Sequence, residues 1–145
     1  MNASRRTIEV DTPVGIGVLD LTPQIRDYVT ATGIRNGMLV VTSRHTTTAL
    51  AINENESRLI EDLKGFLEEL VPSQRPYLHN DIHLRDCPAD EPENARSHLM
   101  AMLLGSSEAI PIVDGQLDLG TWQSVLLIEL DGPRTRGVSV YAYGE

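Results

Sequence analysis

Ile110-Pro111-Ile112-Val113-Asp114-Gly115-Gln116-Leu117-Asp118-Leu119, followed after Gly120-Thr121 by Trp122-Gln123-Ser124-Val125-Leu126-Leu127-Ile128-Glu129-Leu130, decides the fold. Asp114-Gly115 is a two-residue turn that matches the twist of paired strands, so Ile110 to Val113 and Gln116 to Leu119 read as an antiparallel hairpin. From Val125 to Ile128 the apolar residues do not alternate. A strand from Trp122 to Leu130 with such a run is covered on both faces and belongs at the centre of a sheet. Gly137 to Tyr143 alternates Val138, Val140 and Ala142 against Ser139, Tyr141 and Tyr143, the pattern of a strand with one buried face.

Toward the N-terminus, Thr7 to Val10 and Ile16 to Leu21 read as strands, and Pro13 with Gly15 between them predicts a hairpin. Thr22-Pro23 reads as an N-cap and first helical position, and Gly33 ends that short helix. Asn36-Gly37 leads into a strand over Met38 to Ser43, which delivers the chain to His45. A second helix is expected with Asn53 or Asn55 as its cap. Leu59, Ile60, Leu63, Phe66, Leu67 and Leu70 form its inner face, and Pro72 stops it. Ser73 to Pro92 reads as an irregular loop, and a loop of that length in a small domain is functional or mobile. A third helix is expected over Glu93 to Leu104, closed by Gly105 and holding His98 inward or at its edge. The fold class is α+β, a largely antiparallel sheet or sandwich with about three helices.

The 145 residues amount to one domain, 1–145, long enough to bury a core without crosslinks. No apolar stretch is long enough to span a bilayer, and Met1-Asn2-Ala3-Ser4-Arg5-Arg6-Thr7 lacks the apolar centre of a signal peptide, so a cytoplasmic protein with no membrane partner is expected. The single cysteine, Cys87, has no internal disulfide partner and sits among acidic residues that disfavour a thiolate. A net charge of −9 argues against nucleic acid, whose affinity for proteins comes mainly from cationic groups.

All four histidines, His45, His79, His83 and His98, fall in the middle of the chain beside short polar motifs. Imidazole both binds transition metals and moves protons near neutral pH, so a metal site of His45, His79 and His98 is one reading. Taken singly, each histidine of this kind is more often a structural or surface residue than a ligand, and His83 has the weakest claim. Glu56 reads as a complement to a helix N-terminus, whereas Glu54 adjoins the His45 segment. Gln123 and Glu129 share one face of their strand, to orient a ligand or to pair with backbone groups. Arg134 and Arg136 face one side if extended, a pair suited to phosphate or carboxylate, with surface salt bridges as the ordinary alternative. Thr46 and Thr47 offer hydroxyls to an oxyanion, though threonines at a strand end are also common sheet sequence. Trp122 reads as core or a subunit contact. Phosphate loops, nucleophile elbows and Cys-x-x-Cys pairs are all missing.

His45-Thr46-Thr47, Ala49, Asn53-Glu54, Tyr77 with His79, His98 before Leu104-Gly105, Gly120-Thr121-Trp122-Gln123, Glu129 and Asp131-Gly132-Pro133-Arg134 together resemble the YjbQ-like family, also called the secondary thiamine-phosphate synthase family. The resemblance spans nearly the whole chain. It implies a homotrimer, a divalent metal (zinc or magnesium) at His45, His79 and His98, and a secondary activity joining a hydroxymethylpyrimidine pyrophosphate to a thiazole phosphate. In that expectation His45, Glu54 and Arg134 are catalytic. Thr46, Thr47, Asn53, Gln123, Arg134 and Arg136 bind a small phosphorylated metabolite. A metal-dependent hydrolase of a small phosphorylated or carbonyl compound, and a non-enzymatic trimer that binds metal or metabolite, are the rival classes.

Overall fold

The computed structural model describes residues 1–145. Five strands form one antiparallel sheet: β1 (Asn2–Asp11), β3 (Gly37–Ser43), β5 (Ser107–Val113), β6 (Gln116–Leu117) and β8 (Thr135–Gly144), in the order β1-β8-β3-β5-β6. A second sheet holds β2 (Gly15–Asp20), β7 (Ser124–Gly132) and β4 (Thr48–Asn53), with β7 in the centre. The helices are α1 (Thr22–Thr32), α2 (Ser57–Leu70) and α3 (Ala95–Leu104). The expected α+β fold, antiparallel and with three helices, is what forms.

The apolar run of β7 shows why three layers are needed. Successive side chains of a strand point to opposite faces. Val125 and Leu127 face the first sheet and share a core with Leu39, Ile110, Val138 and Val140, whereas Ile128 and Leu130 face α2 and α3 and pack with Leu67, Val71 and Met100. Each fully buried aliphatic side chain of this kind contributes about 1.5–3 kcal/mol. Helix α1 sends Ile25, Tyr28 and Val29 into the inter-sheet core, and the Tyr28 hydroxyl donates to the Ser4 carbonyl at 2.6 Å.

The Asp114-Gly115 hairpin forms as read, with φ of 51° and 80° at the two turn residues, though its second strand is only Gln116–Leu117. The expected N-terminal hairpin does not form. β1 pairs with β8 and β2 with β7, so the Pro13-Gly15 segment carries the chain from one sheet to the other. Strand β4, which the polar residues around it conceal in the sequence, pairs Thr48 with Glu129 and Asn53 with Ser124. The caps also differ from expectation. Leu21 stands at the N-cap of α1, where the Asp20 carboxylate accepts from Thr22 N at 2.9 Å. On α2 the cap is Glu56, accepting from the backbone N–H groups of Arg58 and Leu59 at 2.9 and 2.7 Å, not Asn53 or Asn55. Those two bonds hold its carboxyl below the usual range. Only Leu67 of α2 is fully buried, while Leu59, Phe66 and Leu70 are exposed. The third helix begins at Ala95, two residues later than expected, and the loop before it contains only two single 3-10 turns, Leu78–Asn80 and Ile82–Leu84.

Gly37 faces Gly144 across the β3–β8 ladder, and a Cβ on Gly37 would collide with the Tyr143 carbonyl and lie 2.8 Å from Gly144 Cα. Both obstacles are backbone, which cannot rotate away. Gly37→Ala should therefore lose about 1–3 kcal/mol, read as a lower urea midpoint with an unchanged slope. An unaltered midpoint would mean that the ladder shifts at no cost.

Candidate functional site

The motif residues collect at opposite ends of the β4–β7 ladder. Thr48 opposite Glu129 marks one end and Asn53 opposite Ser124 the other. At ~3.4 Å per residue the five steps between them span roughly 17 Å. His45, Thr46 and Thr47 precede the first end, whereas Asn53, Glu54, Trp122 and Gln123 gather at the second, where they border one depression. Within one chain, Glu54 therefore does not join His45 and Arg134.

At the first end the β7 alternation places Glu129 in the layer between the sheets, fully buried. Arg136 meets it as a fork, Nε to Oε1 at 2.7 Å and Nη2 to Oε2 at 2.6 Å. Thr12 Oγ1 also donates to Oε1, and the backbone N–H groups of Leu130 and Asp131 donate to Oε2 at 2.9 and 3.1 Å. Burial alone would raise the Glu129 pKa, but the bonds from Arg136, Thr12 and Asp131 outweigh it and the net direction is down. Arg136 Nη2 donates onward to Thr47 Oγ1 at 2.9 Å. At 5% exposure, Arg136 has its guanidinium committed to the interior; it is neither a surface salt bridge nor on the side of Arg134. Thr47 is likewise buried, leaving Thr46 as the exposed hydroxyl of the run.

Beside this pair, His45 Nε2 accepts from Gly137 N at 2.9 Å. A backbone N–H can only meet a ring nitrogen that carries a lone pair, so the proton of the neutral ring sits on Nδ1. Burial first, and the Arg136 guanidinium second, lower the His45 pKa and hold it neutral.

His79 and His98 stand together, with ring centroids 4.8 Å apart and planes at 77°. The 3-10 turn 78–80 presents His79, whose carbonyl accepts from Arg85 Nη1 at 2.9 Å; α3 presents His98. Burial, followed by the neighbouring His79, lowers the His98 pKa against an opposing pull from Asp131. The Asp131 carboxylate accepts from Asn94 Nδ2 at 2.9 Å and from Arg134 Nη2 at 3.1 Å. Asn94 Oδ1 is buried without a partner. Tyr77, His79, His98 and Met102 line an adjoining cleft of roughly 430 Å³.

No three His, Cys, Asp or Glu side chains come together in this chain as a metal cage would need. Two imidazoles side by side fit two ligands of a divalent ion, but His45 has its Nε2 lone pair engaged and does not complete the set. His83 lines a different depression with Arg85, Cys87 and Glu93. Trp122 is 73% exposed and so is not core. Gln123 closes its own turn, accepting from Gly120 N at 2.8 Å.

Sequence reasoning noted Asp131 without assigning it a part, and passed over Asn94, Arg85 and Thr12. Asp131 lies inside the quoted Asp131-Gly132-Pro133-Arg134 motif and Asn94 stands four residues before His98, which is a usable signal. Thr12 carries none, because its partner is 117 residues away.

A model of the family described as UPF0047 protein YjbQ-like matches residues 6–145. A UPF0047 protein of Methanothermobacter thermautotrophicus is 45% identical over 130 residues, 90% of this chain and 85% of that protein. Another from Archaeoglobus fulgidus is 43% identical over 127 residues, 88% of this chain and 91% of its own length. Among solved structures, a YbjQ-like protein of Sulfolobus solfataricus superposes with a TM-score of 0.89 at 34% identity, covering 99% of both chains. A hypothetical protein of Aeropyrum pernix gives 0.88 at 39% identity, over 98% of this chain and 99% of its own. With the family model covering nearly its whole length, the chain belongs to the YjbQ-like UPF0047 family.

Proposed function

We propose that this chain acts on a small phosphorylated metabolite at the His79–His98 end, and that its reaction is the thiamine-phosphate synthesis implied by the family resemblance. The observation that carries this reading is the His79–His98 pair, with ring centroids 4.8 Å apart, beside an arginine with donors to spare. Displacing pyrophosphate from an activated pyrimidine methylene builds negative charge on the departing phosphates, and positive groups already in place are the main catalytic requirement. Arg134 uses Nε and one Nη2 hydrogen on Asp131, leaving three of its five donors for an anion. Its side chain is 45% exposed, within reach of solvent. The exposed hydroxyl of Thr46 adds a neutral donor for the departing phosphates.

In this reading His79 and His98 hold a divalent metal, zinc or magnesium, which would supply further charge stabilisation for the pyrophosphate. Three copies assemble as a homotrimer, a reading supported by the exposed Met102, Leu103 and Phe66, which a partner would cover.

The test is pyrophosphate release from the pyrimidine pyrophosphate with and without thiazole phosphate, together with metal analysis of chelator-washed, resupplied protein. Release that depends on the acceptor and falls at least about 10–100-fold in His98→Ala is expected, because the metal loses a ligand. Metal should be lost in His79→Ala and His98→Ala and kept in His45→Ala. Release that ignores the acceptor would replace the synthase with a hydrolase, and tight binding without turnover would make the chain a binding module.

A further inference from the structure

The far end of the β4–β7 ladder has its own chemistry. Between α2 and the outer face of the three-stranded sheet lies a partly enclosed pocket of roughly 200 Å³, room for a single ring. Its walls are apolar, with Leu63 and Ile60 of α2 above and Ala51, Leu126 and Ile128 of the sheet below. Asn53 and Glu54 stand at its edge and also border the adjoining depression formed with Trp122 and Gln123, so the two spaces meet at these residues.

Glu54 is half-buried, and its carboxylate makes no ion pair and accepts no hydrogen bond; only its backbone N–H is engaged, by Asn53 Oδ1. Lys, Arg and His are absent from the lining of both spaces, where Glu54 is the only charged residue. A carboxylate drawn partly out of water without a partner carries a desolvation cost that a cation relieves. The exposed indole of Trp122 adds a π face, which attracts the same kind of charge. Phosphate would meet the Glu54 carboxylate and no cation of the lining here, so this end complements the Arg134 end and does not duplicate it.

We propose that this pocket binds a small organic cation, an amine whose apolar ring enters the pocket beneath α2 while its ammonium meets Glu54 beside Trp122. Small-molecule sites are commonly apolar hollows with a few polar groups at the mouth, and here the polar group of highest charge has no internal partner. The inference does not depend on the synthase reading, because its ligand carries no phosphate.

The test compares phenethylamine with 2-phenylethanol, which share one apolar body, by heteronuclear NMR and calorimetry on the full chain. The amine should bind at least about tenfold more tightly, as expected for a charge-assisted contact of this type. Saturable shifts should appear at Leu63, Leu126 and the Trp122 indole. Glu54→Gln, an isosteric change at the pocket mouth, should abolish the preference and leave alcohol binding unchanged, and Leu63→Trp should block both ligands. Equal affinity for the two probes, a preference that survives Glu54→Gln, or no saturable shift at these residues with millimolar ligand would overturn the proposal.

Discussion

Arg136→Ala should lose about 3–5 kcal/mol of folding stability, a large part of the margin of a single domain. The cost comes from what is left behind. Glu129 is fully buried and accepts two of its five hydrogen bonds from the Arg136 guanidinium, while Thr47 accepts another from the same group. Removing the cation strands a carboxylate in the layer between the sheets, where water does not replace the lost donors. Glu129→Leu combined with Arg136→Met should recover much of the loss, because an apolar pair of similar volume leaves no charge unpaired. Urea titration of the wild type, the single variant and the double variant checks this, and a single variant within about 1 kcal/mol of wild type would show that water reaches the pair.

The same network sets the response to acid. Glu129 has a folded pKa below its ordinary value, so its contribution is present above the unfolded carboxylate pKa and is lost as pH falls through the folded value. His45 and His98 are also shifted down, chiefly by burial. Their unfolded forms take up protons first, so stability falls as pH drops below the ordinary histidine value. All three act in one direction, and the midpoint of unfolding should decline on acidification from neutral pH.

Arg134→Ala should weaken pyrophosphate binding about 10–100-fold, the range for losing charge-assisted hydrogen bonds to an anion. Stability should barely change, since the Arg134–Asp131 pair is partly exposed and close in sequence. This contrast with Arg136 is sharp for two arginines separated by one residue. Arg134→Lys should recover charge but lose the forked geometry, giving intermediate affinity. Calorimetry with pyrophosphate decides the matter: unchanged affinity in Arg134→Ala would remove this residue from the site.

The elements that the sequence made legible are those whose signals are local. The Asp114-Gly115 hairpin, the Gly33 stop and the doubly covered run of β7 each depend on a few neighbouring residues, and each stands as read. The N-terminal hairpin is absent because Pro13 and Gly15 serve a crossover between sheets as well as a hairpin, and the pairing partners of β1 and β2 lie over 100 residues away. Strand β4 gives little local signal because Thr-Ala-Leu-Ala-Ile-Asn is short and flanked by polar motifs on both sides.

What the sequence determined by itself was the α+β class, the three helices, the family and the set of residues capable of chemistry. Tertiary structure decided which of those residues meet. His79 and His98 come together because a 3-10 turn and α3 converge, and His45 is turned away by the Gly137 N–H. Glu54 lies a ladder's length from the histidines, and Arg136 is inside while Arg134 is outside. Residue type and periodicity are properties of neighbours along the chain, whereas proximity and burial depend on strand register between distant segments, which no local pattern encodes.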